Sequence, residues 1–77
     1  MLKAVTLREI EQIFAITDAM GISREALVIP LRTENPGRVR AIAGGRIEIV
    51  VERDVDFEQW LSGLERLIRP LAKAPPG

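Results

Sequence analysis

Arg38-Val39-Arg40-Ala41-Ile42-Ala43-Gly44-Gly45-Arg46-Ile47-Glu48-Ile49-Val50-Val51-Glu52 is the stretch that decides the fold. Two runs that alternate apolar and polar residues flank a Gly pair, which is the pattern of a β-hairpin. Parity selects the loop length. A two-residue Gly44-Gly45 loop pairs Ala43 with Arg46 and puts Val39 and Ala41 on the face of Arg46 and Glu48. Both faces are then mixed, and a one-residue slip sends every side chain of a strand to the other face. A three-residue loop, Ala43-Gly44-Gly45, sorts them. Val39, Ala41, Ile47, Ile49 and Val51 share one face. Arg38, Arg40, Ile42, Arg46, Glu48 and Val50 share the other, with Arg40 opposite Glu48. The spacing predicts strands over 38–43 and 46–52, joined by a loop with a Gly bulge in which Gly45 takes a positive φ.

Working upstream, residues 26–32 alternate with Leu27, Ile29 and Leu31 on one side, giving a third strand. Pro30 cannot donate to a ladder, so this strand belongs at a sheet edge. Asn35-Pro36-Gly37 is a turn signal. The simplest path is an antiparallel meander with strand 38–43 in the centre and strands 26–32 and 46–52 at the edges.

Helices flank the strands on both sides. Thr6-Leu7-Arg8-Glu9 reads as a capping box, with Val5 and Ile10 placed as a hydrophobic staple. Ile10, Ile13, Phe14, Thr17 and Met20 then keep helical spacing and Gly21 stops the run, which predicts a helix over 7–20. Asp56-Phe57-Glu58-Gln59 repeats the device, with Val55 and Trp60 as its staple. Phe57, Trp60, Leu61, Leu64, Leu67, Ile68 and Leu71 form one continuous apolar stripe. Pro70 marks the expected end of that helix. Residues 1–71 thus read as a single domain and 72–77, with Pro75-Pro76, as a flexible tail. The expected fold is α+β: a two-layer α/β sandwich in the order α-β-β-β-α, with a three-stranded antiparallel meander and both helices on its apolar face.

Composition narrows the functional classes. A chain of 77 residues buries about 60–65% of its unfolded surface, and chains this small often gain stability from disulfides, metals or self-association. With no Cys, no disulfide can form; with no His, zinc and most transition metals lose their usual ligands. Eleven basic and eleven acidic residues cancel, so no global field draws the chain to nucleic acid or membrane. Apolar stretches are too short to span a bilayer, and Met1 to Val5 lacks a signal-peptide pattern. A cytoplasmic protein with no cofactor and no membrane partner is the expectation.

Catalytic motifs are missing. Triads built on Cys or His are excluded, and neither a Walker loop nor G-x-G-x-x-G occurs. Glu52, Asp54, Asp56 and Glu58 alternate and could hold a hard cation, but the Gly and final Glu of an EF-hand loop are absent. Asp56 as a cap and Glu58 near a helix N-terminus account for half of them without a metal. Among the Arg residues, Arg38, Arg40 and Arg46 share the outer sheet face and Arg32 sits close by, with Glu34, Glu48 and Glu52 interleaved.

The α-β-β-β-α order resembles the double-stranded-RNA-binding domain, as topology over most of the chain. That family's basic cluster at the start of its second helix falls here at Asp56 to Gln59, which is acidic, and its His-bearing loop falls at Thr33 to Gly37, which has no His. The resemblance therefore implies a fold and does not carry RNA binding with it. The helix, edge hairpin and second helix are also similar to the front half of small zincin-like peptidase domains. Their H-E-x-x-H would lie on the second helix, where this chain has none.

The expected role is non-enzymatic association, as a homodimer or accessory subunit, through an open edge on strand 46–52 carrying Ile47, Ile49, Val50 and Val51. The alternative is a nucleic-acid-binding module that contacts phosphate through Arg38, Arg40 and Arg46.

Overall fold

The computed structural model describes residues 4–72. Helix α1 is Leu7–Ala19, strand β1 is Leu27–Val28, β2 is Arg38–Ile42, β3 is Arg46–Val50, α2 is Phe57–Ser62 and α3 is Leu64–Ala72. Single 3-10 turns precede β1 and join β2 to β3. The fold is a small α+β domain with a mixed three-stranded sheet in the order β1-β3-β2.

The hairpin has the register that parity demands. Ile42 pairs with Arg46 across a three-residue loop, and Arg40 pairs with Glu48. Gly45 has φ +72°, as expected of a Gly bulge, and Gly44 joins it at φ +82°. A side chain on either would strain the backbone.

Its place in the sheet differs from the expected meander. β1 pairs with β3 in parallel, Leu27 against Ile47 and Val28 against Glu48, so β3 is central and β2 is an edge. The physical reason lies in the C-terminal half of β3 and in Val51 just beyond it. Ile49-Val50-Val51 is apolar on both faces, which suits a strand enclosed from every side better than a wet edge. β1 is also shorter than expected. The parallel ladder stops before Pro30, which has no N–H to give, and contact with the third strand's end resumes at a Glu34–Glu52 bridge. There the Glu34 N–H donates to the Val51 carbonyl at 3.1 Å and the Arg53 N–H donates to the Glu34 carbonyl at 2.9 Å.

From Glu34 the chain rounds the end of β3 to enter β2. The Asn35–Pro36 bond in this turn is cis. Gly37 then passes so close that a Cβ on it would lie 2.6 Å from the Val50 carbonyl oxygen and 2.7 Å from the Glu52 nitrogen. Only Gly fits such an approach.

The first helix starts as its sequence predicts. The Glu9 N–H donates to Thr6 Oγ1 and the Thr6 N–H donates to Glu9 Oε1, a complete capping box. It ends at Ala19, with Gly21 at φ +78° just beyond. Asp56 Oδ2 accepts the Gln59 N–H at the second start. The long second helix is in fact two. Ser62-Gly63 breaks it: the Ser62 hydroxyl donates to the Gln59 carbonyl, and Gly63 caps α2. Ser and Gly together are a frequent cause of such a break. Pro70, expected as the terminus, lies inside α3, which runs to Ala72. A proline near a helix end removes one hydrogen bond and leaves φ helical, so the last residues can continue past it. The tail expected from residue 72 thus loses Ala72 to α3, and its remainder, 73–77, lies outside the described residues.

Val5, Ile13, Ile47, Ile49, Val51, Leu64 and Ile68 form the core, with Ile10, Leu27, Val39, Phe57 and Trp60 among the residues packed against it. Thr17 is buried with them, and its hydroxyl donates to the Phe14 carbonyl. No helix among the described residues is long and apolar enough to cross a membrane.

Candidate interaction surface

The four residues expected on an open edge are in the interior. Ile47, Ile49, Val50 and Val51 are all buried, and β1 and the Glu34 bridge line the side of the strand that was expected to be free. An edge strand with two apolar faces would expose both; a central strand hides them, and the chain adopts the second arrangement. These side chains belong to the core and offer nothing to a partner.

The free edge belongs to β2. It pairs with β3 on one side, and no backbone hydrogen bond reaches its outer side from elsewhere in the described residues. Arg38, Arg40 and Ala41 are exposed there, while Val39 and Ile42 are half-buried. β2 contains no Pro and is the longer of the two edge strands.

Next to this edge three of the sequence-predicted Arg residues, Arg32, Arg38 and Arg40, are brought together, and all three are already engaged. Arg32 Nε donates to Glu34 Oε2 at 2.8 Å, and Arg38 lies 3.0 Å from Glu34 Oε1. Arg38 also approaches Glu48 at 3.8 Å, and Arg40 Nε donates to Glu48 Oε1 at 2.7 Å. Five charges alternate in sign along this chain of contacts. The hydrogen bond from Arg32, helped by the charges of Arg38 and Arg32 and opposed by burial, holds the Glu34 carboxyl below the usual carboxylate range. Glu48 is the most enclosed member, with its side chain 13% exposed. Arg46 stands apart, exposed and without an ion pair among the described residues. Interleaved Glu residues signalled ion pairing in the sequence. The bridge from Glu34 to both Arg32 and Arg38 depends on the turn at 35–37.

The acidic stretch 52–58 is dispersed. Glu52 accepts the Gly37 N–H, Asp54 accepts the Asn35 side-chain amide at 2.6 Å and Asp56 caps α2. No three acidic groups converge on a common point among the described residues.

Two apolar residues of the predicted stripe point outward. Leu67 is 50% exposed and Leu71 lies beyond it on the same helix, because the break at Gly63 turns Leu64 and Ile68 into the core instead. Leu31, expected on the apolar face of the first strand, is also exposed. The aromatic residues of α2, Phe57 and Trp60, lie 5.7 Å apart between ring centres and pack against the core, away from the Arg face. Comparison with protein-family models, with curated proteins and with solved structures finds no match.

Proposed function

We propose that this chain is a small non-enzymatic association module that acts through the outer edge of β2. The single observation that carries this reading is the strand Arg38–Ile42, paired on one side alone and with no backbone partner on the other among the described residues. An unpaired edge of this kind is a template for another strand, and addition of a strand is a common mode of protein recognition. The absence of Cys and His supports the same reading, since association is the remaining common reinforcement for so short a chain. Phosphate binding by Arg38, Arg40 and Arg46 is the weaker alternative, because Glu34 and Glu48 already neutralise two of the three.

Light scattering at low micromolar concentration, with capture from an extract of the source cell, tests the reading. The comparison is wild type against Ala41→Glu, which places a charge at an exposed position of the edge. The expected result is a dimer or a captured partner that the variant loses while its circular dichroism is unchanged. A monomer that captures nothing sensitive to the substitution ends the proposal.

A further inference from the structure

On the reading that β2 is the association edge, we infer that its partner is an acidic extended segment of another protein, added as a fourth strand beside β2, and not a second copy of this chain. One ion pair crosses the sheet toward this edge. Glu48 lies on the central strand and Arg40 sits opposite it on the edge strand, 2.7 Å away. The row, Val28, Glu48 and Arg40, ends at an Arg side chain that is 57% exposed. The next position outward belongs to whatever strand is added. A carboxylate opposite Arg40 stabilises the pairing, whereas a cation opposes it.

The surroundings have the same bias. Arg32, Arg38, Arg40 and Arg46 face three carboxylates, Glu34, Glu48 and Glu52, and Arg46 has no ion pair among the described residues, so this side of the sheet keeps a small positive excess on a chain whose total charge is zero. Self-pairing meets that charge head on. An antiparallel pairing centred on Arg40 sets it against Arg40 of the second copy. Centring on Val39 sets Arg38 against Arg40 of the copy, and centring on Ala41 leaves the two Arg40 residues diagonal to each other. Like charges in these positions destabilise a strand pair. Nucleic acid would satisfy the charge but not the edge. It brings no strand backbone to pair with β2, and the rings that could stack bases are engaged elsewhere: Phe57 and Trp60 pack against the core and Phe14 lies under the Arg24 guanidinium.

The test is a titration of the full-length, isotope-labelled chain with the peptide acetyl-Glu-Val-Glu-Val-Glu-Val-amide, monitored by amide chemical shifts. Its Lys counterpart and single-stranded oligothymidylate are the comparison ligands. Shifts confined to residues 38–42 are expected with the acidic peptide, fading as salt is raised and absent with the Lys peptide. Arg40→Gln, at an exposed position, should weaken peptide binding about twofold to fivefold, the range of a solvent-exposed ion pair. A dimer with protected β2 amides and no peptide binding overturns the acidic partner and leaves the edge reading standing. Oligothymidylate shifts at Arg38, Arg40 and Arg46 without peptide binding overturn both. A monomer that shifts with no ligand overturns the acidic partner, and the Ala41→Glu capture comparison then judges the edge by itself.

Discussion

β2 and β3 are the two arms of one hairpin, matched residue for residue, and they meet opposite fates. Val39 pairs with Ile49, yet Val39 is half-buried and Ile49 is fully enclosed. The hairpin treats both arms alike; the difference comes from a third segment. β1 and Glu34 run beside β3, and nothing among the described residues runs beside the outer side of β2. Composition agrees with that division. β2 alternates strictly between charged and apolar over its first three residues, as a strand with one wet face does, while β3 ends in Ile49-Val50 and runs on into Val51. In this hairpin the arm whose end is apolar on both faces is the one that gains most from a central place.

The largest expected effect comes from this contrast. Ile49→Ala should cost about 3–4 kcal/mol in urea unfolding, since it empties a fully enclosed site. Val39→Ala, its cross-strand partner, should cost only about 1 kcal/mol because the site is open to solvent and can relax. Equal costs would break the asymmetry.

Gly37→Ala comes next and probes how the chain passes from the third strand's side to the second's. Replacing Gly by Ala commonly gains about 0.4–1 kcal/mol by restricting the unfolded chain. Here the new Cβ meets backbone atoms of Val50 and Glu52, which cannot swing aside. The strain should outweigh the gain and leave a net loss of about 1–3 kcal/mol, read as a lower urea midpoint.

The smallest effect is electrostatic. Glu34 is held below the usual carboxylate range, chiefly by the Arg32 hydrogen bond, and Asp18 likewise by its hydrogen bond from Arg24. A folded value below the unfolded one means that each stabilises the fold above the ordinary carboxylate range. That contribution fades as pH falls through it toward the folded value. Both groups are solvent-accessible, so the drop in urea midpoint below about pH 5 should be shallow. Glu34→Gln should make it shallower still. An acid response unchanged in that variant would show that the Arg32–Glu34–Arg38 contacts do not anchor β2.

Much of the fold was legible because it depends on short-range rules. Thr6 and Glu9 cap α1 reciprocally, Asp56 caps α2, and the parity of Val39 and Ala41 against Ile47, Ile49 and Val51 sets the hairpin register. Strand order was not legible in the same way, since it depends on which side of the hairpin β1 takes. The residues that carry the answer, Ile49-Val50-Val51, are plain in the sequence, but their two-sided apolar character also suits an exposed edge that needs cover. The break at Gly63 is hidden by a stripe that continues through it in sequence while Leu67 and Leu71 turn outward in space. The candidate site inherits the strand-order error. With β3 taken as an edge, Ile47, Ile49, Val50 and Val51 become surface; with β3 central, the available edge moves to Arg38–Ile42.

The parallel pairing of Leu27–Val28 with β3 also sets an order of events in time. The β2–β3 hairpin closes over a three-residue loop, a local step that costs little chain entropy and is fast. β1 reaches β3 only after the whole intervening hairpin arm and turn are in place, and it contributes two ladder residues when it arrives. It is therefore expected to be the last strand to join, and its ladder to open before that of the hairpin. During each such opening Ile47 and Glu48 briefly regain a bare edge, while the Glu34–Glu52 bridge still covers the far end of the strand.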